Sequence, residues 1–159
     1  MGTLPEAYAL RRIYWQIFAT LTLARLHAST KGCVPQVFSW LRRGAELGGI
    51  HFKHLLWVAR FEVGRGSRGH YHCCLAGLLP RSTTTATCRL LESYWATCSG
   101  GKSQVDLYDR ARDGVGYILK LPFIAQHSVC CEGKSGTSDV DCEPMLSKSL
   151  FPTLRRGRM

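Results

Sequence analysis

The stretch from His54 to Leu79, HLLWVARFEVGRGSRGHYHCCLAGLL, predicts the β-hairpin around which the rest of the fold is arranged. Two runs within it, His54 to Val63 and His70 to Leu79, have the character of strands. The intervening GRGSRG supplies the glycines that a hairpin connection of moderate length uses. The sequence therefore predicts two neighbouring antiparallel strands.

The register of this hairpin decides which side chains share a face. If the loop is centred on Gly66, Glu62 lies opposite His70 and Arg60 lies opposite His72. Successive side chains of a strand point to opposite faces, so these four polar side chains gather on one face. The other face is predicted to be a buried apolar surface, formed by Trp57, Ala59, Phe61, Val63, Tyr71, Cys73 and Leu75. A slip of one residue would move Glu62 to the wrong face.

The polar face has the composition of a metal site. Directly opposed side chains have Cβ atoms about 5 Å apart, which is close enough for Glu62, His70 and His72 to share one ion. Two imidazoles and one carboxylate that leave coordination positions open suit a catalytic divalent metal. The pair of histidines alone is weak support, because strand histidines often pair with carboxylates for structural reasons. The register with Glu62 strengthens the prediction.

The segments around the hairpin alternate between strand and helix patterns, with no internal repeat. Strands are predicted at Trp15–Ala24 and Gln104–Tyr108. Helices are predicted at 34–47, with Pro35 in the first turn, from the threonines at 83–85 to Cys98, and from Asp113 to Leu121 before Pro122. The sum is an α+β fold, an antiparallel β-sheet with flanking helices. Residues 1–126 are predicted to form the domain and 127–159 a Gly/Ser/Cys-rich basic tail.

Composition narrows the function. The 159 residues suffice for one domain, and 21 Lys+Arg, mostly arginine, against 11 Asp+Glu give a formal net charge of +10. A polyanion, nucleic acid before membrane, is the expected partner. The longest apolar run, Ile13 to Leu26, is interrupted and too short to span a bilayer, and no export signal is expected. Eight cysteines without a CxxC pair predict reduced thiols, not a zinc site or a disulfide scaffold.

Three motifs occur in an order that resembles a known family. FATLTL, from Phe18 to Leu23, is similar to a first motif of the FxTLT type on an N-terminal strand. His70-Tyr71-His72, with Glu62 on the preceding strand, resembles the metal-binding second motif. Tyr117-Ile118-Leu119-Lys120 resembles a third motif, YxxK, on a helix. Together they resemble the HUH endonucleases of the rolling-circle replication initiator (Rep) type, and the likeness extends from Phe18 to Lys120.

The resemblance implies a fold and an activity. The fold would be an HUH/RRM-like palm with the metal site on the sheet face. Tyr117 would be the nucleophile, assisted by Lys120, and Glu62, His70 and His72 would hold Mg²⁺ or Mn²⁺. The reaction would nick and join single-stranded DNA through a 5′-phosphotyrosine, leaving a 3′-OH that initiates replication of a plasmid, phage or single-stranded DNA virus. Candidate phosphate contacts are Arg60, Arg65, Arg68, Arg110 and Arg112.

The same resemblance implies partners and a compartment. The substrate would be single-stranded or melted origin DNA, and no membrane is expected. A helicase and a DNA polymerase would act in trans, because neither Gly-Lys-Ser at 101–103 nor that at 133–135 has the glycine spacing of a phosphate-binding loop. The protein would work in the cytoplasm of a bacterium, or in the host nucleus if it comes from a eukaryotic virus.

Three alternative classes compete with this resemblance, and the sequence leaves two of them open. A single-tyrosine HUH transposase is one, although such proteins commonly have glutamine where Lys120 stands and would leave Glu62 unexplained. A cupin-type oxygenase would need HxHxxxxE, which the residues after His72 do not match. A basic nucleic-acid-binding module without catalysis, with structural histidines, is the third.

Overall fold

The fold is seen in a computed structural model that describes residues 9–26, 30–63, 68–119 and 145–146. The elements, in chain order, are β1 (Ile17–Leu26), α1 (Thr30–Leu47), β2 (Leu56–Val63), β3 (Arg68–Ala76), α2 (Thr85–Ser99), β4 (Ser103–Leu107), α3 (Gly114–Leu119) and β5 (Met145–Leu146). Short 3₁₀ turns lie at Phe52–His54, Pro80–Ser82 and Arg110–Arg112. The strands form one sheet in the order β4-β1-β3-β2-β5, and every described pair is antiparallel. The predicted α+β fold, an antiparallel sheet with flanking helices, is confirmed.

The hairpin register is also confirmed. Glu62 pairs with His70 and Arg60 pairs with His72 across the β2–β3 ladder. The predicted apolar side chains of the same two strands lie on the opposite face, where Tyr71 and Ala59 have no exposed surface and Phe61 has almost none. The two faces of the hairpin are therefore separated as alternation requires.

Helices α1 and α2 cover the apolar face of the sheet. The main core contains side chains of β1, β2, β3 and β4 together with Trp40 of α1 and Trp95 of α2. Both indoles are fully buried and satisfy their N–H groups: Trp40 donates to the Leu91 carbonyl at 3.1 Å, and Trp95 donates to the Thr22 carbonyl at 3.0 Å. The second bond ties α2 directly to β1, an interior strand of the sheet.

The described residues cover the opposite face only in part. A smaller cluster there joins the segment before β1 and helix α3 to the sheet, through Leu10, Trp15, Val58, Cys74, Ala76, Val115 and Ile118. The remainder of this face contains the polar side chains of the hairpin and the alternate residues of β1. Short α3 therefore lies at the boundary between an apolar and a polar half of one sheet face.

Most element boundaries differ from the predictions by a few residues, and two of these differences have a clear structural reason. Helix α1 begins at Thr30, four residues earlier than predicted, so Pro35 lies inside the helix and not in its first turn. The proline ring is exposed, and a helix can retain an outward-facing proline although one backbone hydrogen bond is lost. Strand β1 begins at Ile17 and not Trp15, because the Trp15 side chain turns to the smaller cluster and its indole donates to the Leu10 carbonyl at 2.8 Å.

The predicted division at residue 126 stays a prediction, since most of 120–159 lies outside the described residues. Two residues of the predicted tail, Met145 and Leu146, form β5 and pair with Ala59 and Val58 on the edge of β2. Within the described part of the chain, no helix combines the length and the apolar character that crossing a bilayer requires.

Helix α3 approaches the sheet closely enough to require glycine at Gly114. A Cβ there would lie 2.6 Å from Phe18 Cδ2 and 3.2 Å from Tyr108 Cε2. We expect Gly114→Ala to push α3 off the sheet and to lower the free energy of unfolding by about 1–3 kcal/mol, the usual cost of overpacking. Urea denaturation measures this, with Ala111→Ser, an exposed change in the preceding turn, as the control. An unchanged midpoint for Gly114→Ala would contradict the close packing.

Candidate metal centre

Three potential metal ligands converge on the polar face of the hairpin. Glu62 comes from β2, and His70 and His72 come from alternate positions of β3, so the register alone brings them together. His70 Nε2 lies 3.6 Å and His72 Nε2 lies 3.4 Å from the same oxygen, Glu62 Oε2. One ligand atom from each residue lies within 4.8 Å of the others. The group can hold a metal ion.

Burial and donor chemistry fit a divalent ion. Glu62 is 6% exposed and His72 is 7% exposed, so both ligands are largely withdrawn from water. His72 Nε2 is buried and makes no hydrogen bond within the described residues, although it faces the carboxylate. A buried nitrogen of this kind is costly unless it meets a proton donor or a cation. Imidazole and carboxylate together are ordinary ligands for divalent metals.

Tyr117 meets this group from α3. Its hydroxyl donates a hydrogen bond to Glu62 Oε2 at 3.4 Å, and its ring lies edge-on to His72 with centroids 4.9 Å apart. The side chain is 40% exposed, so it links the buried ligands to the surface. Burial raises the pKa of Tyr117, and the negative charge of Glu62 and the hydrogen bond to that carboxylate raise this pKa further. Of the residues proposed from the sequence, the structure thus brings Glu62, His70, His72 and Tyr117 together.

The position of α3 has identifiable causes. Asp113 caps its first turn by accepting from the Gly116 amide at 3.2 Å, and Arg11 holds the same carboxylate at 2.6 Å. The Tyr108 hydroxyl accepts from the Val115 amide at 3.0 Å. At the other end, Arg60 Nη1 donates to the Ile118 carbonyl at 3.1 Å. Contacts at both ends therefore hold the helix that presents Tyr117.

Arg60 is buried, whereas a side chain that contacts DNA is expected to be exposed. The side chain is 5% exposed, and its guanidinium is directed to the C-terminal turn of α3 and not to solvent. Alternation placed it correctly on the polar face, but the helix that covers this part of the face was not visible in the strand pattern. We therefore give Arg60 a structural role, while contact with DNA stays an untested prediction for this residue.

Three of the other predicted phosphate contacts are described, and all three are exposed. Arg68 is exposed at the start of β3, and Arg110 and Arg112 are exposed in the turn before α3. Arg110 stacks on the exposed ring of Tyr14 with 4.8 Å from its guanidinium carbon to the ring centroid. Arg65 and Lys120 lie outside the described residues, so their predicted roles are untested.

Two residues of β1 that sequence reasoning did not single out contact the candidate ligands. Thr20 Oγ1 lies 3.1 Å from His72 Nδ1, in hydrogen-bonding contact, and the Phe18 ring stacks against the same imidazole with centroids 6.0 Å apart. Both positions belong to the threonine-rich first motif. Alternation along β1 would have grouped them on one face, but only the β1–β3 register shows that this face meets His72.

The described cysteines do not contribute to this centre. Cys73, Cys74, Cys88 and Cys98 are free thiols. Burial raises the pKa of Cys73 and Cys74 far above the ordinary value of a thiol, so both favour the protonated form, which is a poor metal ligand.

No known protein family, no curated protein and no solved structure matches this chain in sequence or structure comparisons. The chemistry of the site must therefore be argued from its own residues.

The hydrogen bond from Arg60 to the Ile118 carbonyl should stabilise α3 locally. In Arg60→Met, the Ile118 carbonyl loses a charge-assisted hydrogen bond worth about 1.5–3 kcal/mol. We expect amide exchange across Gly114–Leu119 to accelerate by about tenfold or more, since 1.4 kcal/mol is tenfold in an equilibrium. Hydrogen–deuterium exchange measures this, and Arg112→Met, which removes an exposed arginine near the same helix, is the control. Equal exchange in both variants would show that Arg60 does not hold α3.

Proposed function

We propose that this protein is a metal-dependent endonuclease and strand transferase that cuts and rejoins single-stranded DNA through a covalent phosphotyrosine. Tyr117 is the nucleophile, and Glu62, His70 and His72 hold a divalent ion, Mg²⁺ or Mn²⁺. The proposed class is the HUH endonucleases with an RRM-like palm, of the type that initiates rolling-circle replication. The antiparallel sheet and the order of the three motifs support this choice.

One observation carries the proposal: the Tyr117 hydroxyl reaches the same carboxylate oxygen as both histidines. The Tyr117 hydroxyl satisfies a buried carboxylate oxygen, and the same position suits a nucleophile, which must lie within a few ångströms of the charge that stabilises its reaction. Tyr117 is also the most exposed member of the group, which suits a residue that meets a macromolecular substrate.

The proposed reaction is a transesterification. Tyr117 Oη attacks the scissile phosphorus, the P–O3′ bond breaks, and the departing oxygen takes up a proton to become a 3′-OH. The phosphate stays on the tyrosine as a 5′-phosphotyrosine, and attack by a 3′-OH reverses the step without ATP. Glu62 Oε2 is the acceptor within reach of the Tyr117 proton. A divalent ion, when bound, would act as a Lewis acid on the phosphate oxygens.

The substrate is proposed to be single-stranded or melted DNA. The ligands are recessed beneath Tyr117 on a sheet face, and a phosphate must leave the regular path of a duplex to reach them. Exposed Arg68, Arg110 and Arg112 supply positive charge on the strands and the turn that lead to the site, consistent with the chain's net charge of +10. Unwinding and synthesis are assigned to a helicase and a polymerase that act in trans.

Metal binding tests the ligand set directly. We expect the protein to bind one Mn²⁺ per chain, and Glu62→Gln or His70→Gln to weaken binding by at least tenfold, because each removes one of three proposed ligands. Calorimetric titration and the Mn²⁺ electron paramagnetic resonance signal measure this. Glu46→Gln, which changes an exposed carboxylate on α1, is the matched control. Equal affinity in all four proteins would locate any bound ion elsewhere and contradict the proposed centre.

Covalent capture of DNA tests the nucleophile. A single-stranded oligonucleotide library of randomised sequence, labelled at its 3′ end, is incubated with the protein and Mn²⁺. We expect labelled protein on a denaturing gel, because the tyrosine retains the 5′-phosphate of the 3′ fragment. Tyr117→Phe should lower this labelling at least a hundredfold, since it removes the attacking oxygen, whereas Tyr14→Phe, the control at an exposed tyrosine, should label as the parent does.

A label at the 5′ end provides the complementary result, because that fragment should leave as a free strand with a 3′-OH. If Tyr117→Phe still forms the adduct, another residue is the nucleophile. If no adduct forms with the randomised library although Mn²⁺ binds and the protein retains single-stranded DNA on a filter, the non-catalytic nucleic-acid-binding alternative replaces the proposal.

A further inference from the structure

We infer that Thr20 of β1 is a positioning residue that fixes the orientation of His72 and presents its Nε2 to the metal. This inference deepens the proposed function and rests on it. Thr20 and His72 pair directly across the β1–β3 ladder, and Thr20 Oγ1 lies 3.1 Å from His72 Nδ1. Nδ1 is thus engaged by the hydroxyl, while Nε2, the other ring nitrogen, faces Glu62 Oε2 at 3.4 Å.

A hydroxyl group suits this position because it can both donate and accept a hydrogen bond. When Nε2 binds a cation, Nδ1 must carry the ring proton. Nδ1–H then donates a hydrogen bond to Thr20 Oγ1. When Nε2 carries the proton instead and faces the carboxylate, Thr20 can donate to Nδ1. The imidazole therefore retains the same partner at the same place in either tautomer, and the ring need not turn when the ion binds. Partners of this kind orient metal-binding histidines generally.

The first strand constrains the ring from a second direction. Phe18, two residues before Thr20 and on the same face, stacks on the His72 imidazole at an interplanar angle of 26°. Gly114 of α3 packs closely against one edge of the same Phe18 ring, so that ring contacts both the helix and the histidine. Stacking limits tilting of the imidazole, and the hydroxyl limits its rotation. The FxT part of the first motif thereby acquires a role in the metal centre.

The neighbouring threonine supplies a matched control within the same motif. Thr22 lies on the same face of β1 and pairs with His70 as Thr20 pairs with His72. Within the described residues its side chain makes no hydrogen bond, and only its backbone is engaged, with Lys102 and Trp95. Thr20→Val and Thr22→Val therefore make the same chemical change on the same strand, and only the first removes a contact to a ligand.

The experiment compares Mn²⁺ affinity in the parent protein, Thr20→Val, Thr20→Ser and Thr22→Val. We expect Thr20→Val to weaken binding by about 10- to 100-fold, the usual effect of removing such a partner. Thr20→Ser, which retains the hydroxyl, should bind within a few-fold of the parent, and Thr22→Val should be unchanged. Valine keeps the β-branched shape that favours a strand, and circular dichroism verifies that each variant is folded.

A second measurement does not depend on any variant. Nitrogen NMR of the His72 ring in the Mg²⁺-loaded parent protein should show a protonated Nδ1 and an unprotonated Nε2. The inference is overturned if Nδ1 is unprotonated in the loaded protein, or if Thr20→Val binds Mn²⁺ as tightly as Thr22→Val does. Failure of the parent protein to bind Mn²⁺ at all would overturn the proposed function together with the inference, so the two failures are distinguishable.

Discussion

The pairing of β2 with β3 is the constraint on which the rest of this structure depends. It sets Glu62 against His70 on one face while Phe61 and Tyr71 pair on the other. A slip of one residue would expose these aromatic side chains, and each square ångström of apolar surface returned to water costs about 25 cal/mol. The burial of the apolar face therefore holds the candidate ligands in place, so the core and the site are two consequences of one register.

The sequence predicted this part of the molecule because the information is local. Period-two alternation and a glycine-rich loop between two strands suffice to place Glu62 opposite His70. The contacts that complete the site join residues distant in the chain: Thr20 meets His72 across 52 positions and Arg60 meets Ile118 across 58. Such contacts depend on the order of strands and on the docking of α3. Neither can be read from the pattern of a single strand.

Arg60 shows what period-two alternation along a strand cannot predict. The alternation that grouped it with the histidines was right about the face of the strand, but it carried no information on what covers that face. Helix α3 lies over the half of the face nearest Val58, and the Arg60 guanidinium bonds to that helix and not to solvent. The predicted start of α1 was wrong for a related reason. That prediction placed Pro35 in the first turn, where proline is most frequent, whereas an exposed proline can also be retained further along a helix.

The charges at the centre argue for a cation beyond those that the described residues supply. In the proposed reaction, a DNA phosphate at Tyr117 would bring negative charge close to buried Glu62. Burial, and after it the charge of Glu62 and the hydrogen bond to that carboxylate, already raise the pKa of Tyr117. Exposed arginines on the rim are screened by salt over about 8–10 Å. Arg60, the buried arginine, is directed at the end of α3. Under the proposed function, a divalent ion held by Glu62, His70 and His72 would offset this negative charge.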